Sequence, residues 1–124
     1  MKKKAYSYVT NNDVKFDHLE KFDLPELVDA CQHKWFNQVL TRVNDSVVRL
    51  GIVEGEYHWH KHENEDEFFF VVSGQLFIDL ENESILLHPN QGITVSRGVL
   101  HRTRAEKQAV ILMVESSTIE PTGD

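Results

Sequence analysis

A succession of short apolar segments, each closed by a turn signal, restricts this chain more than any other feature. From Trp35 onward the segments run WFNQVLTRV, VVRLGIV, EFFFVV, QLFIDL, ILLH, GITVS and AVILMVE, all rich in β-branched and aromatic residues. Asn44-Asp45, Ser73-Gly74, Glu81-Asn82-Glu83, Pro89-Asn90-Gln91-Gly92 and Glu106-Lys107-Gln108 separate them. Short strands at this spacing specify an all-β antiparallel sandwich or barrel. In QLFIDL the alternation puts Leu76, Ile78 and Leu80 on one face, with Phe77 and Asp79 on the other.

Before Trp35 the period changes. Leu24, Leu27, Val28 and Cys31 repeat at helical spacing, Asp23 and Glu26 fit a capping box, and Pro25 is tolerated in a first turn. A short helix is therefore expected over about 24–32. At 124 residues, with no repeat, low-complexity tract or linker, the chain reads as one domain. Residues 1–34 form an N-terminal segment carrying the helix and packed on the barrel, and residues 35–124 form the β domain.

Composition excludes several functions. A net charge of −7 argues against nucleic acid, whose phosphates demand excess Lys and Arg. Lys2, Lys3 and Lys4 make the only basic run, read as a solvated tail. No apolar stretch suits a bilayer, and the basic start is not followed by the apolar core of an export signal. The lone Cys31 has no disulfide partner and reads as a small buried residue on the helix stripe. A reducing, cytoplasmic setting is the expectation, so Asn44-Asp45-Ser46 and Asn82-Glu83-Ser84 are read as turns and not glycosylation sites.

Phe68-Phe69-Phe70-Val71-Val72 has no polar alternation, so both its faces need cover. One face suits the barrel interior. The other calls for the N-terminal segment, a second sheet or another subunit, and a homodimer is expected.

Just ahead of that strand lies HWHKHENEDE. If the run is extended, His58, His60 and His62 share a face, while Tyr57, Trp59 and Lys61 point the other way. Two imidazoles at i and i+2 can converge on one ion, and Glu67 could close over it from the next strand. Taken alone, the pattern leaves a metal site and a coincidence equally open.

The spacing resembles the first motif of the cupin superfamily, in which a glycine precedes HxH, three or four residues, Glu, six residues and Gly. Here His60-Lys61-His62 is followed by four residues, Glu67, six more and Gly74, with Gly55 as the leading glycine after a spacer one residue short. Ser96-Arg97-Gly98-Val99-Leu100-His101 is similar to the second motif, with Ser96 in place of proline and Ala105 in place of asparagine. The resemblance spans roughly residues 46–115 and implies a double-stranded β-helix, or jelly roll. It implies His60, His62, Glu67 and His101 as ligands of one divalent first-row ion: manganese, iron, nickel, zinc or copper.

Cupins similar to this chain include dioxygenases, isomerases, epimerases and decarboxylases, so the fold does not choose a reaction. Two functions remain: a metal-dependent enzyme acting on a small polar molecule with a carbonyl, carboxylate or sugar-like group, and a non-catalytic metal-containing binding protein or sensor. The complete ligand set and the absence of an output domain favour the enzyme. His58 is a candidate acid or base, its commoner alternative being a rim histidine bonded to water. Arg97, Arg102, Arg104 and Lys107 could hold a substrate anion, but alternation sets Arg102 and Arg104 opposite His101, and a solvated face is the commoner outcome. His88 is read as a loop cap, and His18 and His33 as surface residues.

Overall fold

The computed structural model describes residues 8–124, so the expected Lys2–Lys4 tail lies outside it. Every strand expected from Trp35 onward is present. Strands β2 (Trp35–Val43) and β3 (Ser46–Glu56) form an antiparallel pair joined at Asn44-Asp45. Then come β4 (Glu67–Ser73), β5 (Leu76–Asp79), β6 (Ser84–Leu87), β7 (Gly92–Val95) and β8 (Arg102–Ser116). One additional strand, β1 (Val9–Asn11), pairs parallel to β2. Three residues without alternation give no sequence signal, and β1 exists because β2 offers it an edge.

The long strand β8 organises the barrel. It runs beside β3 on one side, while its C-terminal half pairs with β4 and its first residues with β5. The path of the large sheet is β1-β2-β3-β8-β4-β7, with the β5–β6 hairpin attached through β8. Glu106-Lys107-Gln108, expected as a turn, lies within β8 instead. Val53 pairs with Ala109 and Gly55 with Ala105, so these three residues bulge outward and stay exposed without breaking the strand. Polar turn chemistry here marks a bulge.

The inner core holds Val53, Phe69, Val71, Leu76, Ile78 and Ile111 among others. A second cluster, Leu40, Leu50, Ile52 and Val110, lies on the outer face of the large sheet. Phe16, Phe22 and the helix α1 (Leu24–Ala30) pack over it through Leu24, Leu27, Val28 and Cys31, the stripe read from the sequence. The helix is shorter than expected, because Cys31 turns extended to lead the chain into β2. Asp23 occupies the N-cap position, but its side chain makes no capping hydrogen bond, so the expected capping box does not form.

In β4 the outward residues Phe68, Phe70 and Val72 are half-buried. Val72 packs into the helix-covered cluster, which supplies part of the required cover. Val114, paired with Phe68, remains 39% exposed.

On the outside of β5 the carboxylate of Asp79 is buried, and its oxygens are fully engaged. Oδ2 accepts from Arg102 Nε at 2.8 Å and from Arg104 Nε at 2.7 Å, while Oδ1 accepts from Ser84 at 2.6 Å. Burial alone would raise its pKa, but the hydrogen bonds from Arg104, Ser84 and Arg102 outweigh it and hold the carboxyl at about 2. A carboxyl depressed in the folded state stabilises above its unfolded pKa, near 3.8, and loses that contribution as pH falls through the folded value. Denaturant unfolding between pH 4 and pH 2 is therefore expected to show a stability loss that Asp79→Asn flattens by about 1 kcal/mol after solvent screening. An unchanged slope in the variant would reject this account.

Candidate metal centre

The histidine segment is not a regular strand. After β3, residues 57–66 leave the sheet, and the departure begins at Gly55, whose φ of +108° a side chain would resist. Three backbone contacts then fix the segment. Tyr57 donates to the Thr103 carbonyl at 2.9 Å, His60 and His101 exchange N–H···O bonds at 2.9 Å each way, and Gly98 donates to the His62 carbonyl at 2.7 Å. The two motif regions are thus stitched directly together. Glu67 follows as the first inward residue of β4.

Four ligand-type atoms, one each from His60, His62, Glu67 and His101, lie within 4.8 Å of one another, and all four residues are buried. Glu67 Oε1 sits 3.5 Å from His62 Nε2 and 3.4 Å from His101 Nε2. Ligands about 2.1 Å from a common ion stand roughly 3–4.2 Å apart, so these separations suit an ion. His60 Nδ1–H donates to the His58 carbonyl and His101 Nδ1–H to the Val99 carbonyl, both at 2.9 Å. Those bonds set the tautomers and leave Nε2 of each ring as a lone-pair donor.

The same atoms are otherwise unsatisfied. His62 Nδ1 and Nε2, Glu67 Oε1 and His101 Nε2 are buried without a hydrogen-bond partner among the described residues. Such atoms are rare in a folded interior and call for an explanation. A divalent cation supplies one, and the donor set fits it.

Electrostatics agree at His60 and Glu67. Burial, joined by the neighbouring His101 and His62, brings His60 down to about 4, so its ring is neutral at neutral pH. For His62, burial pulls the pKa down, but the Glu67 carboxylate outweighs it and the net shift is upward. Burial would raise Glu67, yet contacts from His101, His62 and Glu115 hold it well below the usual carboxylate range. Glu115, the cross-strand neighbour of Glu67, is pushed up to about 8 by burial and by the Glu67 charge, against the pull of Arg49.

Some expected residues stand elsewhere. His58 stands beside His60, with ring centroids 5.2 Å apart, but outside the four-residue cluster: its Nε2–H donates to the Thr122 carbonyl at 2.7 Å, and Nδ1 meets the Tyr8 hydroxyl at 3.4 Å. Tyr57, expected to point away, is buried edge-on against His60 with ring centroids 5.2 Å apart. Strand parity fails for Tyr57 because the backbone here is irregular. The Tyr57 hydroxyl donates to the Pro121 carbonyl at 3.2 Å, and burial pushes its pKa up. Arg102 and Arg104 are committed to Asp79, as above, and Arg97 pairs with Asp66 at the surface. His18, His33, His88 and Lys107 are exposed.

Three polar side chains inside the barrel escaped the sequence reading. Arg49 Nε donates to Glu115 at 2.6 Å, and Arg49 Nη1 donates to Asn37 at 2.8 Å. Together with Tyr57, His60 and Glu67 they line one cavity. The available signal was a charge interrupting VVRLGIV and another closing AVILMVE, each at an inward position of its strand.

A profile of the cupin domain matches residues 47–115, more than half the chain. The chain is a cupin. It is 36% identical over 99 residues to the uncharacterised protein YdbB of Bacillus subtilis strain 168, covering 79% of this chain and 88% of that one. A cupin-2 domain protein from Shewanella frigidimarina superimposes with a TM-score of 0.73 at 28% identity, over 77% of this cupin and 93% of its own chain. SPY1581 from Streptococcus pyogenes, a conserved protein of unknown function, has a TM-score of 0.69 at 21% identity over 94% of this chain and all of that one, which speaks to fold alone.

If the four residues hold an ion, protein purified without chelator will carry close to one equivalent by elemental analysis. The His60→Ala/His101→Ala variant will carry only background. Returning manganese or zinc to stripped protein should stabilise the wild type by about 2.7 kcal/mol at a hundredfold excess over Kd and leave the double variant unmoved. Equal ion content in both proteins would refute the ligand assignment.

Proposed function

We propose that this cupin is a metal-dependent enzyme acting on a small polar molecule with a carbonyl, carboxylate or sugar-like group, of dioxygenase or isomerase type. The observation that carries the reading is the buried His60, His62, Glu67 and His101 cluster, of which His60 and Glu67 line a cavity together with further polar side chains. Four protein donors suit an ion that keeps a position for water or substrate. A bound divalent ion would supply Lewis acidity, a lowered pKa for bound water or, as iron, a site for dioxygen. The chain's own part is to hold the His60 ring neutral and the Glu67 carboxylate ionised, and to exclude bulk water with Phe69, Ile111 and Met113.

Metal identity from the native host separates the two types, iron favouring oxygen chemistry and manganese or zinc favouring isomerisation. Loaded protein screened against diketones, uronates, sugar phosphates and aromatic diols is expected to turn over one class. That activity should fall at least a hundredfold in His101→Ala. Tight ligand binding without turnover would instead select the non-catalytic binding protein.

We also propose a homodimer formed through the uncovered outer part of β4 and β8, around Phe68, Phe70 and Val114. The support is the apolar, half-buried character of that strip. Light scattering should give twice the chain mass, and Phe68→Glu should halve it. A monomeric wild type would reject the dimer.

A further inference from the structure

Arg49 is 4% exposed, a rare place for a guanidinium. It carries five N–H bonds, of which one donates to Glu115 and one to Asn37. Its Nη2 makes no hydrogen bond among the described residues and is not sealed from solvent, and Arg49 lines the cavity that also contains His60 and Glu67. Asn37 holds the guanidinium in place: its Oδ1 accepts from Arg49 while its Nδ2 donates to Thr10 at 3.2 Å. A guanidinium held in place with donors free toward a cavity is set to meet an acceptor there.

The size of the cavity limits that acceptor. Its volume is about 40 Å³, measured at the centres of water-sized spheres. That is room for about three waters, enough for a carboxylate and one oxygen-bearing carbon. A planar carboxylate matches the flat donor edge of a guanidinium, whereas a neutral hydroxyl leaves most of its donors unmatched. Charge points the same way. A divalent ion and Arg49, set against Glu67 and Glu115, leave the cavity with net positive charge.

We propose that Arg49 is the recognition residue for the carboxylate of a short 2-oxo or 2-hydroxy acid, with Asn37 as its positioning residue and the neighbouring oxygen of the ligand directed toward the His60 and Glu67 end. This deepens the functional reading above and rests on it, because the second oxygen needs the metal centre.

The test is calorimetric titration of manganese- or zinc-loaded protein with glycolate and pyruvate, and with glycolamide as the neutral control. Ion content is measured on every sample. Both acids are expected to bind, and glycolamide at least tenfold more weakly. Arg49→Met should weaken the acids at least tenfold with ion content unchanged. Asn37→Asp, which sets a competing carboxylate against the guanidinium, should do the same, and it serves if Arg49→Met does not fold. Equal affinity for acid and amide overturns the proposal. So does wild-type acid affinity in either ion-loaded variant. A loaded wild type that binds neither acid overturns this proposal alone, whereas a wild type that takes up no ion overturns it together with the metal reading.

Discussion

The reciprocal backbone hydrogen bonds between His60 and His101 carry the β3–β8 contact, whose ladder reaches Glu56 and Arg104, beyond the end of both strands. Between Glu56 and Glu67 the chain has left the sheet, and between Val95 and Arg102 it has not yet re-entered it. Each excursion alone would be a surface loop. The two-way bond, with Gly98 donating to the His62 carbonyl beside it, makes each loop the other's support. It also fixes the side chains: the Nδ1 bonds to the His58 and Val99 carbonyls act on rings whose backbones are already pinned. A cluster of donor atoms becomes reproducible only when both backbone and tautomer are determined.

A polar stripe crosses the inner face of an otherwise apolar barrel. Glu67 on β4 lies directly opposite Glu115 on β8. Arg49 pairs with Met113, two residues from Glu115, and Asn37 pairs with Gly51, two residues from Arg49. Diagonal neighbours on one face of a sheet lie within reach of long side chains, so four strands contribute to a single network. Within it, two carboxyls are driven in opposite directions. Glu67 is held ionised by its imidazole neighbours, whereas Glu115, facing that charge, is pushed toward its neutral form despite Arg49. Two carboxyls separated in this way can play unlike roles in one small volume.

Much of this was legible in the sequence. Alternation and turn residues mark the strands, and the helical stripe of Leu24, Leu27, Val28 and Cys31 packs where an amphipathic helix should. The spacing of His60, His62, Glu67 and His101 identified the cluster that the fold assembles. The failures have a common physical origin. Parity describes regular strands only, so it misplaces Tyr57 where the backbone is irregular, and Glu106–Gln108 reads as a turn because a bulge uses the same residues. Arg49 and Glu115 were missed for another reason. A charge in an apolar run shows no preference for interior or exterior until the partner across the sheet is known, and that pairing is non-local.

Two buried acids on this barrel show what separates architecture from site. Asp79 is enclosed at the outer face of β5, and the protein itself supplies matching donors, two arginines and a serine. Arg104 also lies 4.0 Å over the Phe77 ring, which fixes the guanidinium that Asp79 needs. Such an arrangement is complete and explains itself as structure. Glu67 is as deeply buried, yet one of its oxygens and three imidazole nitrogens have no hydrogen-bond partner among the described residues. Each unsatisfied atom costs about 1–3 kcal/mol, a large fraction of a domain's net stability of roughly 5–15 kcal/mol. A chain able to satisfy Asp79 so fully has the means to satisfy Glu67 as well. That it surrounds Glu67 with imidazole nitrogens, where arginine or hydroxyl donors would have served stability, makes this cluster one that suits a metal ion.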